Sequence, residues 1–135
     1  MRDIGPLSGY ASVAAGGALG TLARYGIGLA VADAPGGKPL GTLGINIVGC
    51  LLIGVLTSVL HDGSHPLLRP FLATGVLGGF TTFSAYALDI DGLVATGRPV
   101  LAMLYLIGTL GAALIATVAG RRIGHRIARL RRRTG

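Results

Sequence analysis

The chain has 135 residues, of which 51% are hydrophobic and 13% charged, and it contains 24 glycines. A mean hydropathy of +0.70 and apolar runs of about 20 residues, the length that crosses a bilayer, favour a small membrane bundle over a soluble domain. The net charge of +7 does not by itself indicate nucleic acid, because seven of the twelve basic residues lie in the last fifteen positions. Such a cluster beside a span is typical of an orientation signal or a contact with anionic lipid.

Four apolar segments are predicted to form transmembrane helices in one domain that covers residues 1–135. The predicted spans are about 8–32, 40–60, 67–93 and 100–120, and a basic C-terminal tail follows over 121–135. An even number of spans places both termini on the same side of the membrane. Four helices barely enclose a pathway, so an oligomer is expected.

The first span carries a stripe of small residues and one arginine. Gly16, Gly20, Arg24 and Gly28 recur every four residues and share one face of the predicted helix. The glycines allow another helix to approach closely. An arginine at mid-membrane costs about 3 kcal/mol on insertion scales. Two interpretations of Arg24 stay open: a side chain that snorkels from near the helix end, or a functional residue that is either a buried anchor or an anion attractor.

The second span places Thr42, Asn46 and Gly49 on one face. Asn46 is the informative residue, because an amide in hydrocarbon must find a hydrogen-bonding partner. It either joins two helices or lines a pore. Cys50 has apolar neighbours and is predicted to be a buried, inert thiol.

The third span contains a segment, residues 75–86, that is a poor continuous helix. Each of its three glycines costs about 1 kcal/mol of helix propensity relative to alanine, and its hydroxyl side chains compete for backbone groups. These residues are Gly75, Gly78, Gly79, Thr81, Thr82 and Ser84. Opened backbone is tolerated in a membrane only inside protein or beside a wet cavity. The segment therefore predicts a broken transmembrane helix that builds a site, with a closely packed glycine-rich helix as the alternative.

The fourth span carries a mildly polar stripe, and the tail is amphipathic. Tyr105, Thr109, Ala113 and Thr117 follow one another at four-residue steps. In the tail, three apolar residues interleave with arginines, which predicts a short basic extension on the membrane surface. Two acidic residues, Asp89 and Asp91, lie near the end of the third span and are expected at the membrane interface.

Three of these segments resemble the small bacterial fluoride channels, the Fluc family. They are GGALGTLARY at 16–25, GTLGINIVG at 41–49 and GVLGGFTTFS at 75–84. Their order in a four-span chain of this length makes the resemblance specific, and it covers nearly the whole chain. It implies an all-α protein of the cell inner membrane, a dual-topology dimer of antiparallel subunits with two fluoride pores along the interface. The implied function is a passive fluoride-selective channel that exports cytoplasmic fluoride and relieves its toxicity.

The resemblance also assigns roles to individual positions. The pore residues that it implies are Thr42, Asn46, Phe83, Ser84, Tyr86, Tyr105 and Thr109. Arg24 matches the arginine of the first helix, as an anion-attracting or structural residue. The backbone carbonyls of Gly78 and Thr81 are expected to hold a structural sodium ion (Na+) at the dimer centre. Two positions depart from the family pattern: Tyr86 stands where phenylalanine is usual, and Ala113 where serine is common.

The chemistry of these residue types suits fluoride. A small, strongly hydrated anion needs several donors to replace its water, and an amide and hydroxyl groups supply them. Aromatic rings present a positive edge without carrying a charge. Conduction requires moderate binding at several sites, and backbone carbonyls are suitable ligands for a hard cation.

Two other functions are alternatives to a fluoride channel. A proton-coupled exporter like the small multidrug-resistance transporters needs a carboxylate within the membrane, and none of the five acids is predicted at mid-span. A non-transporting adaptor whose basic tail docks DNA or anionic lipid would leave Asn46 and the broken helix unexplained. An enzyme is not expected, because the sequence has no nucleophile–base pair, metal cluster or phosphate loop.

The distribution of basic residues conflicts with the antiparallel arrangement. The termini and the second loop share a side that carries Arg2, Arg69 and the tail arginines, whereas the other side carries Lys38 and Arg98. The positive-inside rule then places both termini in the cytoplasm. An antiparallel homodimer needs half of its subunits inserted the other way. The homodimer is favoured because all motif segments are present in one chain, and a heterodimer with an oppositely oriented paralogue is the alternative.

Overall fold

The computed structural model describes residues 6–31, 37–60 and 65–134, and within these residues the chain is helical without strands. The elements are α1 (Pro6–Val31), α2 (Gly37–Val59), a π-helix termed π1 (Pro70–Leu77), α3 (Gly78–Phe80), α4 (Phe83–Ala95) and α5 (Pro99–Thr134). Part of the charge pattern behind the orientation prediction lies outside the described residues: Arg2, and the side chains of Lys38 and of the arginines at 131–133.

Three helical segments are long and apolar enough to cross a membrane, judged by length and composition alone. They are Pro39–Val59, Pro70–Ala95 and Pro99–Leu130, and they correspond to the second, third and fourth predicted spans. α1 corresponds to the first and has 26 residues, but it does not belong to this apolar set. Its glycines and Arg24 lower its hydropathy, so its place in a membrane depends on what it packs against.

The fourth helix differs from the prediction at its C-terminal end. α5 has 36 residues and continues without interruption from Pro99 to Thr134. At a rise of about 1.5 Å per residue it is about 54 Å long, well beyond the roughly 30 Å of a hydrocarbon core. The basic tail, predicted as a short amphipathic extension on the membrane surface, therefore continues the fourth helix without a break.

The turn between α4 and α5 follows from one glycine. Gly97 has a φ of +75°, a conformation that glycine adopts without steric cost. The Gly97 N–H donates to the Val94 carbonyl at 3.0 Å and the Arg98 N–H to the Leu93 carbonyl at 2.9 Å. This pair of bonds is the Schellman arrangement that ends a helix. Pro99 then begins α5 at a position where no helical N–H is needed.

Glycines also set how closely the helices pack. α1 lies against π1 and α3, and a side-chain Cβ at Gly16 or Gly20 would overlap the Phe71 or Val76 carbonyl respectively. α2 lies against α5 in the same way, with Gly54 and Gly120 in backbone contact across the seam. Gly28, the last member of the predicted stripe on α1, has nothing within 4 Å of an added Cβ. The stripe therefore acts as a packing surface over its first part only.

The bundle has little core of its own. Within the described part of the chain no side chain falls below 2% exposure, and the buried apolar residues are Ile45, Leu77, Ala102 and Ala116. Large apolar side chains such as Phe83, at 80%, are instead widely exposed. Extended exposed apolar surface indicates contact with a membrane or another protein.

Candidate functional site

The third span changes direction at Thr81 and Thr82. Helical backbone runs to Phe80, Thr81 has φ −77° and ψ 153°, and Thr82 has φ −146° and ψ 122°. Thr82 then caps α4, because its hydroxyl accepts the Ala85 N–H at 3.1 Å. The interruption was predicted to begin at about Gly75. Helical turns continue past that residue, first as π-helix and then as α3, so the extended backbone is confined to the two threonines.

Asn46 of α2 holds the extended segment in place. The Thr82 N–H donates to Asn46 Oδ1 at 2.9 Å, and Asn46 Nδ2 donates to the Thr82 carbonyl at 3.1 Å. One side-chain amide therefore pairs with both backbone groups of one residue. Nδ2 carries a second hydrogen, which this pairing does not use.

The change of direction releases two backbone carbonyls from the helical ladder. In a continuous α-helix the Gly78 carbonyl would accept the Thr82 N–H, which here donates to Asn46. The Thr81 carbonyl would accept the Ala85 N–H, which donates to the Thr82 hydroxyl. No group of three His, Cys, Asp or Glu side chains within the described ranges could hold a metal ion. A cation at this place would therefore depend on carbonyl oxygens such as these two.

Arg24 contacts the third span rather than the end of its own helix. Its Nε donates to the Gly79 carbonyl at 3.2 Å, and the Thr21 hydroxyl donates to the same oxygen at 3.4 Å. The guanidinium thus satisfies backbone next to the extended segment. This contact corresponds to the anchor interpretation and gives no support to snorkelling.

A cavity of about 240 Å³ lies beside the extended segment, between α2, α4 and α5. Its lining residues are Asn46, Cys50, Thr81, Thr82, Phe83, Tyr86, Thr109, Leu110 and Ala113. None of these side chains is charged, so an ion here would meet amide, hydroxyl, thiol and aromatic groups. Cys50 was predicted to be buried and inert, but it is partly exposed and faces this cavity.

Thr109 is the residue of this cavity whose bonding is incomplete. It is 5% exposed, and among the buried polar side-chain atoms of the described residues its Oγ1 is the one without a partner. Thr117, two turns further along α5, instead donates to the Ala113 carbonyl at 2.9 Å. A buried hydroxyl left unpaired costs about 1–3 kcal/mol. That cost would be removed by a ligand that accepts a hydrogen bond in the cavity.

Three aromatic rings form a row from the cavity towards the other end of α4. Phe83 and Tyr86 have ring centroids 5.7 Å apart, and Tyr86 and Tyr105 have centroids 5.5 Å apart. The Tyr86 hydroxyl donates to the Leu106 carbonyl at 2.7 Å. The additional hydroxyl at this position therefore bonds to the backbone of α5, and the ring remains beside the cavity.

A second cavity, of about 320 Å³, lies where α1 ends and α2 begins. Its lining includes Arg24, Thr42, Thr82 and Asp89, so Thr82 borders both cavities. The Tyr105 hydroxyl lies 3.0 Å from the Pro39 carbonyl and 3.2 Å from Asp89 Oδ2. Asp89, which was expected at the membrane interface, is partly buried and faces this cavity.

The structure therefore brings together most of the predicted pore residues. Four line the first cavity (Asn46, Phe83, Tyr86 and Thr109), and Thr42 lines the second. Tyr105 contacts Tyr86 and Asp89, between the two. Ser84 lies within 3.3 Å of the Thr82 hydroxyl, is exposed and lines neither cavity. The sequence interpretation missed Cys50, although its position one turn after Asn46 places it on the same helix face, and it missed the partly buried position of Asp89.

Comparison with known proteins identifies the family. Residues 11–121 match the family described as CrcB-like protein, Camphor Resistance (CrcB). The chain is 46% identical over 115 residues to the fluoride-specific ion channel FluC of Paracoccus denitrificans (strain Pd 1222), a match that covers 85% of this chain and 93% of that protein. It is 50% identical over 111 residues to fluoride-specific ion channel FluC 2 of Thermobifida fusca (strain YX), covering 81% and 82%. It is 51% identical over 102 residues to FluC 2 of Streptomyces avermitilis, covering 74% and 65%. The chain therefore belongs to the CrcB family.

Proposed function

We propose that this protein is a passive fluoride-selective channel of the inner membrane, through which cytoplasmic fluoride leaves the cell. The observation that carries the proposal is the buried hydroxyl of Thr109 without a partner, at a cavity that Asn46 and two aromatic rings also line. Relatives that share about half of the aligned residues are named fluoride-specific ion channels. The cavity supports an anion that accepts hydrogen bonds, and the names of the relatives support fluoride.

The cavity offers the groups that a dehydrated fluoride ion needs. Thr109 Oγ1 and the second hydrogen of Asn46 Nδ2 are donors, and the rings of Phe83 and Tyr86 can direct positive edges to an anion. No lining residue is charged, so binding would be moderate and release fast enough for conduction. Arg24 borders the neighbouring cavity and would raise the local concentration of anions before they enter.

We further propose that sodium is a structural cofactor at the extended segment. The Gly78 and Thr81 carbonyls fit this role, because the N–H groups that would complete their helical bonds donate elsewhere. Oxygen ligands suit a hard cation, and a bound ion would stabilise the released carbonyls. On this proposal the third span is a broken transmembrane helix, and the cation and Asn46 stabilise its extended segment.

The proposed assembly is an antiparallel dimer in which all four helical spans of each subunit cross the membrane. Phe83, a cavity-lining residue, is 80% exposed, so the cavity is incomplete without a further surface. α1 would cross beside π1 and α3, which its glycines contact. A homodimer is favoured, and a paired heterodimer is the alternative. Some relatives carry numbered names, FluC 1 and FluC 2, which fits the paired arrangement.

Fluoride efflux from liposomes that contain only this protein tests the function. Fluoride-loaded vesicles are diluted into fluoride-free buffer, and a fluoride electrode records the release, with protein-free vesicles and a parallel chloride experiment as controls. We expect rapid fluoride release and negligible chloride release. Comparable chloride efflux, or fluoride efflux no faster than from empty vesicles, would refute the assignment.

Dual topology has its own test. A single cysteine is placed near the C-terminus on a Cys50→Ala background, and intact cells that express this gene alone are labelled from outside. Labelling of about half of the molecules is expected for a dual-topology homodimer, because the two insertions must be equally frequent. Labelling of none, together with inactive purified protein, would support the heterodimer.

One observation favours a second candidate, a proton-coupled exporter. Asp89 is partly buried beside a cavity and bonded by Tyr105, and such an exporter needs a membrane-embedded carboxylate. Flux in the absence of a proton gradient separates the two. A channel releases fluoride down its own gradient at unchanged rate when the pH is equal on both sides, whereas a coupled exporter requires proton movement. Strict dependence on a pH gradient would replace the channel proposal.

A further inference from the structure

The C-terminal part of α5, residues 121–134, is a basic helix without acidic residues. Seven arginines lie in it, and its first ten residues overlap the C-terminal end of the candidate membrane span Pro99–Leu130. The side chains of Arg121, Arg122, Arg126 and Arg129 are all exposed. We call residues 121–134 the basic extension. None of these four arginines lines either of the cavities described above.

Packing of the basic extension on α2 determines which way its arginines point. Gly124 is buried, and an added Cβ there would lie 2.7 Å from both the Ser58 Cβ and the Val55 carbonyl oxygen. At about 100° per residue, Arg122, Arg126 and Arg129 lie about 140 to 200° around the helix from Gly124. These three arginines therefore form a stripe directed away from α2 and from the rest of the subunit.

An apolar stripe runs beside the arginines. Ile123, Ile127 and Leu130 are 45%, 38% and 63% exposed, and their spacing places them along one flank of the same helix. A helix with a basic face next to an exposed apolar face is typical of a segment at the boundary between headgroups and acyl chains. Nucleic acid would use the arginines but would leave these apolar side chains in water.

The position of the stripe along α5 fits the headgroup layer if the apolar span of α2 ends at the edge of the hydrocarbon core. Gly124 is level with the last turn of α2, whose apolar span ends at Val59. Arg126 and Arg129 are about 3 and 7.5 Å further along the axis, at about 1.5 Å per residue. The polar layer on each side of a bilayer is about 5 to 7 Å thick. Extended arginine side chains at these levels reach phosphate groups while the helix continues straight.

We propose that the basic extension binds anionic phospholipids. On this proposal Arg122, Arg126 and Arg129 donate to lipid phosphates, with which guanidinium groups form bidentate hydrogen bonds, and the flank that contains Ile127 contacts the acyl chains. The occupant is a lipid with a net negative headgroup, because a zwitterionic lipid brings its own cation to compete with the arginines. This surface is independent of the fluoride pathway and exists whether or not the protein conducts.

Lipid retention on the full-length protein tests the proposal. The protein is placed in nanodiscs that contain equal amounts of phosphatidylglycerol and phosphatidylcholine. Native mass spectrometry then counts the lipids of each kind that remain bound when the protein is released from the nanodisc. Wild type is compared with Arg126→Gln/Arg129→Gln and with the matched control Arg69→Gln/Arg98→Gln, which removes the same charge from two isolated exposed arginines. A third variant, Arg126→Lys/Arg129→Lys, keeps the charge. Size-exclusion chromatography confirms that each variant is folded.

We expect wild type to retain phosphatidylglycerol preferentially, and the Gln variant of the basic extension to lower the ratio of bound phosphatidylglycerol to phosphatidylcholine by about tenfold or more. The control should change the ratio by no more than about twofold, and the Lys variant should keep only the part of the preference that comes from charge, because lysine cannot form the bidentate hydrogen bonds. Equal retention of both lipids by wild type, or an equal loss in the control, would overturn the proposal. Tight binding of duplex DNA without a lipid preference would overturn it in favour of nucleic acid.

Discussion

Replacing Asn46 by aspartate tests whether the side-chain amide stabilises the extended segment of the third span. Asn46→Asp keeps the shape of the side chain and the oxygen that accepts the Thr82 N–H at 2.9 Å. It replaces the Nδ2 group, which donates to the Thr82 carbonyl at 3.1 Å, by a second oxygen. Two acceptors then face each other, and a carboxylate adds negative charge at the cavity that the anion must enter.

The size of the effect follows from that one lost bond. A buried carbonyl left without its donor costs about 1–3 kcal/mol. Since about 1.4 kcal/mol is a factor of ten in an equilibrium constant, the equilibrium constant that favours the extended segment falls by about five- to 150-fold. Repulsion between the carboxylate and fluoride acts in the same direction. We expect fluoride flux to fall by at least about tenfold.

The assay is the initial rate of fluoride efflux per reconstituted protein. Asn46→Leu, which removes both hydrogen bonds, should be at least as impaired as Asn46→Asp. Val48→Ala alters an exposed side chain of the same helix that lines neither cavity and serves as the matched control, with a rate within about twofold of wild type. Wild-type flux in folded Asn46→Asp protein would refute the reasoning that this amide maintains the pathway.

Three further predictions concern the cavity and the helix seams. Phe83→Ile should abolish or severely reduce fluoride flux while the protein stays folded, because it removes a ring edge at similar apolar bulk; flux and size-exclusion chromatography check this. Thr109→Val should lower flux by about tenfold or more and leave thermal stability unchanged or higher, because the hydroxyl that it removes is buried without a partner. Gly120→Ala should destabilise the fold by about 1–3 kcal/mol, because the added Cβ overlaps the Leu51 carbonyl; thermal melting of the detergent-solubilised protein measures the change.

Each of these has an outcome that contradicts it. Undiminished flux in Phe83→Ile would remove that ring from the pathway. A clear loss of melting temperature in Thr109→Val would mean that the hydroxyl is bonded in the assembled protein. Gly108→Ala is the matched control for the seam, since nothing lies within 4 Å of a Cβ at Gly108. Equal melting temperatures for the two glycine variants would show that the α2–α5 contact tolerates a methyl group.

The course of the helices was predictable because local chemistry determines it. Apolar runs of about 20 residues position the spans, and the predicted 40–60 segment lies within two or three residues of α2, Gly37–Val59. The threonines mark the end of α3 because Thr82 caps the following helix with its own side chain. The onset was misplaced at Gly75, because glycine lowers helix propensity by only about 1 kcal/mol and close packing against α1 keeps that backbone helical.

Which groups meet in the site was decided by the tertiary structure alone. The sequence by itself determined that Asn46 needs a partner and that Tyr86 carries an extra hydroxyl. Only the fold supplied the partners: Thr82, 36 positions away, and the Leu106 carbonyl, 20 positions away. Such bonds depend on how two packed helices are rotated and how far they are shifted along their axes. Small differences in the glycine contacts between the helices determine both. Spacing within α2 places Cys50 on the same face as Asn46, but it carries no information about contacts between helices, so Asp89 emerged beside Tyr105 only when the helices were packed together.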